Sequence, residues 1–125
     1  MTYRRQNGSG ENISLLGFGM MRLPREQEEV NRLVDYAIAH GINYFDTSPV
    51  YLGGDSERAT AEALNRHPRE EWLLATKLSI FGPTSYDDCV KMYRRSFEIF
   101  QTDHIDYYLL HAISENAEAE PSPNF

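Results

Sequence analysis

Three residues of catalytic type, Asp46, Lys77 and His111, each close a short apolar run, and Tyr51 follows the first of them by five positions. A tyrosine hydroxyl gives up its proton poorly at neutral pH, but a neighbouring cation favours the ionised form, and Lys77 could supply one. A lysine near the end of a buried strand needs a counter-charge, which Asp46 offers. An imidazole N–H from His111 could orient a substrate oxygen and steady negative charge developing there. Together these groups suit reduction of a carbonyl, with hydride arriving from a nicotinamide and the proton from Tyr51. Taken singly, Lys77 and Asp46 read better as a structural ion pair at a sheet edge than as catalytic groups. Their occurrence with Tyr51 and His111 at successive run ends favours a site.

The elements that must position these groups are legible from periodicity. Apolar runs at Leu15–Phe18, Ile42–Phe45, Trp72–Ala75 and Ile105–Leu110 alternate with helical stripes. One stripe is Val30, Leu33, Val34, Ala37 and Ile38, and another is Val90, Tyr93, Phe97 and Phe100. A weaker helix is expected over Ser56 to Arg66, with only Ala59, Ala63 and Leu64 to bury. Gly41 looks like a helix stop, and Ser85 with Asp88 like a capping box. Upstream, Asn7-Gly8-Ser9-Gly10 lies at the centre of a small hairpin over Tyr3 to Ser14.

Strands alternating with helices imply a parallel sheet. The units repeat about every 30 residues, so eight would need about 240, near the roughly 250 typical of a (β/α)8 barrel. The 125-residue chain has the length of half of one. The fold class expected is therefore α/β: the N-terminal half of a barrel, with four parallel strands, three crossover helices and a preceding β-hairpin. A doubly wound open sheet is the competing architecture. Gly17-Phe18-Gly19 is half of a dinucleotide fingerprint and lacks the third glycine, so it adds little to that alternative and reads better as a tight strand end that lets a ligand approach.

Composition narrows the function classes. With 12 Lys and Arg against 19 Asp and Glu, the net charge is −7, and the charges are scattered, which argues against nucleic acid or an anionic membrane as partner. One cysteine, Cys89, excludes an internal disulfide or a cysteine-held cluster and reads as a packed small residue. His40, His67 and His104 lack metal-ligand spacing, so no metal is expected. No secretory leader is evident, and Leu15 to Met21 is too short to span a membrane, which leaves the cytoplasm as the expected location.

The stretch Ser14-Leu15-Leu16-Gly17-Phe18-Gly19-Met20-Met21-Arg22-Leu23, followed by Gly41-Ile42-Asn43-Tyr44-Phe45-Asp46-Thr47-Ser48-Pro49-Val50-Tyr51, resembles the opening of an aldo/keto reductase. Ser56-Glu57, Ala75-Thr76-Lys77 and Asp103-His104-Ile105-Asp106-Tyr107-Tyr108-Leu109-Leu110-His111 continue the likeness in order, over roughly Tyr3 to Ile113. The phrase around Asp46 is closest in kind to bacterial members. The resemblance implies an Asp, Tyr, Lys and His tetrad on Asp46, Tyr51, Lys77 and His111, with Tyr51 the proton donor to an aldehyde or ketone. It also implies NADPH as cofactor, with Gly19, Met20 and Asp46 near its nicotinamide end.

In that family the remaining cofactor groups come from the later half of the barrel. The expectation is thus a partial domain over residues 1–113, a polar disordered tail over 114–125, and a truncated reading frame, inactive by itself. Its alternative is a non-catalytic half-barrel or regulatory subunit that binds another chain. Open apolar strand edges would favour self-association in either case.

Overall fold

The computed structural model describes residues 1–79 and 85–113. A two-stranded antiparallel hairpin, β1 (Tyr3–Arg5) and β2 (Asn12–Ser14), precedes a four-stranded parallel sheet of β3 (Phe18–Gly19), β4 (Tyr44–Asp46), β5 (Leu73–Leu78) and β6 (Tyr107–Leu110). The strands lie in chain order, and helices α1 (Gln27–Ala39), α2 (Ser56–Leu64) and α3 (Tyr86–Phe100) make the three crossovers. Parallel neighbours joined by helices curl one way only, and in-order neighbours are the beginning of a barrel rather than of a doubly wound sheet. The expected tail lies outside the described residues.

The register fixes which side each residue faces. Phe45 pairs with Leu74, and both are fully buried in the core between sheet and helices, with Val30, Val34, Leu64, Trp72 and Phe100. Because strand side chains alternate, Asp46, Ala75 and Lys77 face the other way, into the concave side of the sheet. The residues with chemistry are therefore separated from the core by the backbone of their own strands.

Two expectations are corrected. The first strand is Phe18–Gly19, later than the apolar run that announced it; Leu15 and Leu16 are exposed. An apolar run does not reveal which of its residues find a partner strand, and here the ladder starts only where Phe18 meets Phe45. The middle helix, read as weak, buries seven of its nine residues. Its polar members go inside because each has a specific partner: Ser56 donates to the Met20 carbonyl at 2.6 Å, and Glu57 accepts from Thr76 and Ser96.

Local signals explain the ends. Gly41 takes φ +92° after α1, and a Cβ there would come within 2.7 Å of Met1 and 2.8 Å of the Tyr3 hydroxyl, which donates to the Gly41 carbonyl. Ser85 caps α3 by accepting from the Asp88 N–H at 3.2 Å. Asn43 ties the hairpin to the sheet: its Oδ1 accepts from Ser14 N–H, and its Nδ2 donates to the Asn12 carbonyl.

Candidate active site

Asp46 ends β4, Lys77 is the penultimate residue of β5, and His111 follows β6 directly, so three neighbouring strands deliver their polar residues to one rim of the sheet. Tyr51 comes from the short 3-10 turn Tyr51–Gly54 that leaves β4. Three residues of that turn take positive φ, Leu52 at 53°, Gly53 at 63° and Gly54 at 96°, so it is tightly bent. Its first residue is held by Tyr51 N–H donating to the Ser48 carbonyl.

The four groups meet. Lys77 Nζ donates to Asp46 Oδ1 at 2.5 Å and to the Thr47 carbonyl at 2.7 Å, and it stands 4.8 Å from the centroid of the Tyr51 ring. The His111 ring meets the Tyr51 ring edge-on, with centroids 5.5 Å apart. The lysine charge thus faces the π face of the phenol. Among the described residues the Tyr51 hydroxyl carries no hydrogen bond, and the Lys77 ammonium neighbours it through the ring. Burial and the Lys77 charge hold the His111 imidazole below its usual range, and Asp46 opposes them.

The three residues linked to a cofactor separate. Gly19 pairs with Asp46 across the β3–β4 ladder, is exposed, and has nothing within 4 Å of where a Cβ would stand, so a flat ring has an open approach beside the Asp46 carboxylate. Met20 does not join them: its side chain is fully buried in the core cluster, and only its backbone reaches the rim, with Met20 N–H donating to the Asp46 carbonyl. Gly19 and Asp46 are the residues of this group that fit a bound nicotinamide.

Sequence reading missed the residues that support the tetrad. Ser48 and Ser79, both fully buried, contact His111 Nδ1 at 3.2 and 2.9 Å. Thr47, also fully buried, gives its carbonyl to Lys77 and its hydroxyl to a 2.8 Å contact with Ser56. A signal was present: Ser48 and Ser79 each stand two residues beyond a tetrad member, and strand alternation carries i and i+2 to the same side.

Known proteins share this arrangement of elements. An aldo-keto reductase of Bacillus halodurans, solved in its holo form, superposes with a TM-score of 0.79 at 31% identity, over 93% of this chain and 42% of its own. An uncharacterised oxidoreductase of Bacillus subtilis is 33% identical over 120 residues, 89% of this chain and 39% of its own. The NADP-dependent D-sorbitol-6-phosphate dehydrogenase of Malus domestica is 31% identical over 106 residues, 82% of this chain and 33% of its own. The chain spans about two-fifths of the length of the first two. The sheet is the N-terminal half of their (β/α)8 barrel. Residues 15–121 match the model of the aldo/keto reductase family, and to that family this chain belongs.

Proposed function

We propose that the chain carries the proton-donating half of an NADPH-dependent carbonyl reductase site, in which Tyr51 protonates the oxygen of an aldehyde or ketone as it becomes an alcohol. The observation that supports this most is the convergence of Lys77, Asp46 and His111 on the Tyr51 ring, from three strands and one loop. The NADP dependence named for the apple relative supports the choice of cofactor.

The nicotinamide, when bound, supplies hydride. Gly19 and the Asp46 carboxylate would hold its ring edge. Tyr51 hands its hydroxyl proton to the substrate oxygen, and the ammonium of Lys77 favours the negative phenol oxygen left behind. Asp46 and the Thr47 carbonyl fix the direction of Lys77, and His111 orients the carbonyl.

Titration of the chain with NADPH, followed by fluorescence or calorimetry, tests the reading, together with carbonyl-dependent NADPH oxidation. Saturable binding at micromolar cofactor is the expected result, and where carbonyl-dependent turnover accompanies it, Tyr51→Phe should abolish the turnover and keep the cofactor affinity. An unchanged rate in that variant would remove Tyr51 from its role. A second reading, a half-barrel that pairs with another chain and binds no cofactor, draws on the exposed Leu109, Leu110 and Ile113 along and after β6. It is the reading left if no binding occurs at millimolar NADPH and light scattering shows a dimer.

A further inference from the structure

Ser48 Oγ, Ser79 Oγ and His111 Nδ1 form a closed triangle with edges of 3.0, 2.9 and 3.2 Å. Both serines are fully buried, and Ser48 Oγ also accepts the Val50 N–H at 3.3 Å. Among the described residues, the hydroxyl protons of the pair have no acceptors except one another and Nδ1. Two hydroxyl protons must therefore be placed within this triangle.

Proton counting decides how. If Nδ1 carries hydrogen, as in one neutral tautomer and in the imidazolium, it can only donate. The serine–serine edge then takes one hydroxyl proton, and the second is buried without an acceptor, an arrangement folded proteins avoid. If Nδ1 is bare, Ser48 O–H donates to Ser79 Oγ, Ser79 O–H donates to Nδ1 along the shorter ring contact, and every proton is placed.

We propose that Ser79 and Ser48 are positioning residues that hold His111 as the neutral imidazole with its ring proton on Nε2. The inference deepens the carbonyl-reductase reading and rests on it for its purpose. A substrate oxygen gaining negative charge needs a donor, and the tautomer fixed by the serines offers one, whereas the other tautomer would present a lone pair from Nε2. Among the described residues, the other charged and titratable groups facing the ring are Lys77 and Asp46, electrostatically, and Tyr51, edge-on. Burial and the Lys77 charge work in the same direction as the serines, against the imidazolium.

Long-range proton–nitrogen correlation NMR of the full 15N-labelled chain reads the tautomer directly. Four histidines are present, and His111→Gln identifies the signals of His111 by their loss. The wild-type chain should show the Nε2–H pattern at neutral pH. Either serine by itself still has Nδ1 as the acceptor for its proton, so the Ser48→Ala/Ser79→Ala double variant, which removes both, should convert His111 to a mixture of tautomers and raise its titration midpoint, while Ser79→Thr should keep the wild-type pattern. The signals of His40, His67 and His104 report whether each variant is folded. If the double variant does not fold, the wild-type and Ser79→Thr spectra decide. An Nδ1–H pattern in the wild type, or an unaltered tautomer in the folded double variant, overturns the proposal. Lack of NADPH binding or turnover would instead defeat the carbonyl-reductase reading and leave the tautomer result standing.

Discussion

Asp46 and Lys77 are paired at 2.5 Å but buried unequally: the lysine side chain is 10% exposed and the aspartate 32%. The two ends of this ion pair therefore depend on each other to different degrees. Asp46→Asn leaves a charged ammonium in a dry place with neutral acceptors only, whereas Lys77→Met leaves a carboxylate that water already reaches. The first should lower stability by about 1–3 kcal/mol and the second by less than about 1 kcal/mol. Urea unfolding of both variants measures the difference, and equal losses would mean that the pair is screened alike at both ends.

Glu57 is a second buried charge, on the opposite side of the sheet from the tetrad. Its Oε1 accepts from Thr76 Oγ1 at 2.6 Å and from Ser96 Oγ at 2.8 Å, yet burial outweighs these bonds, Arg95 and Lys77, and pushes the carboxyl above its ordinary value. The folded chain thus holds this proton more tightly than the unfolded one. Its contribution is complete below the unfolded value of about 4.5 and is lost as pH rises through the folded value. Glu57→Gln keeps an acceptor for both hydroxyls and removes that slope, so at neutral pH it should match or exceed the wild type. Glu57→Ala strands two buried hydroxyls beside a cavity and should cost about 2–4 kcal/mol. Urea midpoints across the acid range separate the two, and equal damage from Gln and Ala would refute the burial account.

The order of elements was readable because helices and strands leave different periods in the sequence, and Asp46, Lys77 and His111 were readable because polar residues interrupt apolar runs. What escaped is what depends on partners. Leu15 and Leu16 look like a strand until the ladder shows that pairing begins at Phe18. Ser56 and Glu57 look solvent-facing until their acceptors and donors are placed around them. Ser48 and Ser79 carry no signal of their own type, since serine is common in loops. Only their two-residue spacing from Asp46 and Lys77 pointed to the same side of the sheet.

Far from the tetrad, Arg69 joins the starts of two strands. Its guanidinium lies 4.0 Å over the Trp72 ring and donates to the Trp72 carbonyl, Thr102 Oγ1, the His104 carbonyl and Asp106 Oδ2. Asp106 Oδ2 also accepts the Leu74 N–H at 2.7 Å, so one carboxylate links β5 to the approach to β6. A lysine cannot reproduce this fork or its stacking. Arg69→Lys should lower stability by about 1–3 kcal/mol in thermal unfolding. It should leave the His111 tautomer unchanged. A neutral Arg69→Lys would mean that the guanidinium geometry is incidental.

His111 links stability to acid. Burial and the Lys77 charge lower its imidazole below the ordinary 6.5, so the unfolded chain takes up a proton at a pH where the folded chain still declines it. Stability from this residue is complete above about 6.5 and is lost as pH falls through the depressed folded value. His111→Gln removes the titrating group. The variant should therefore lose less of its urea midpoint than the wild type when pH is lowered from about 7 to about 5, with the other three histidines as the common background. Parallel acid profiles for the two chains would show that His111 is solvated as freely in the folded state as in the unfolded one, and would remove the electrostatic reason for its neutrality at the site.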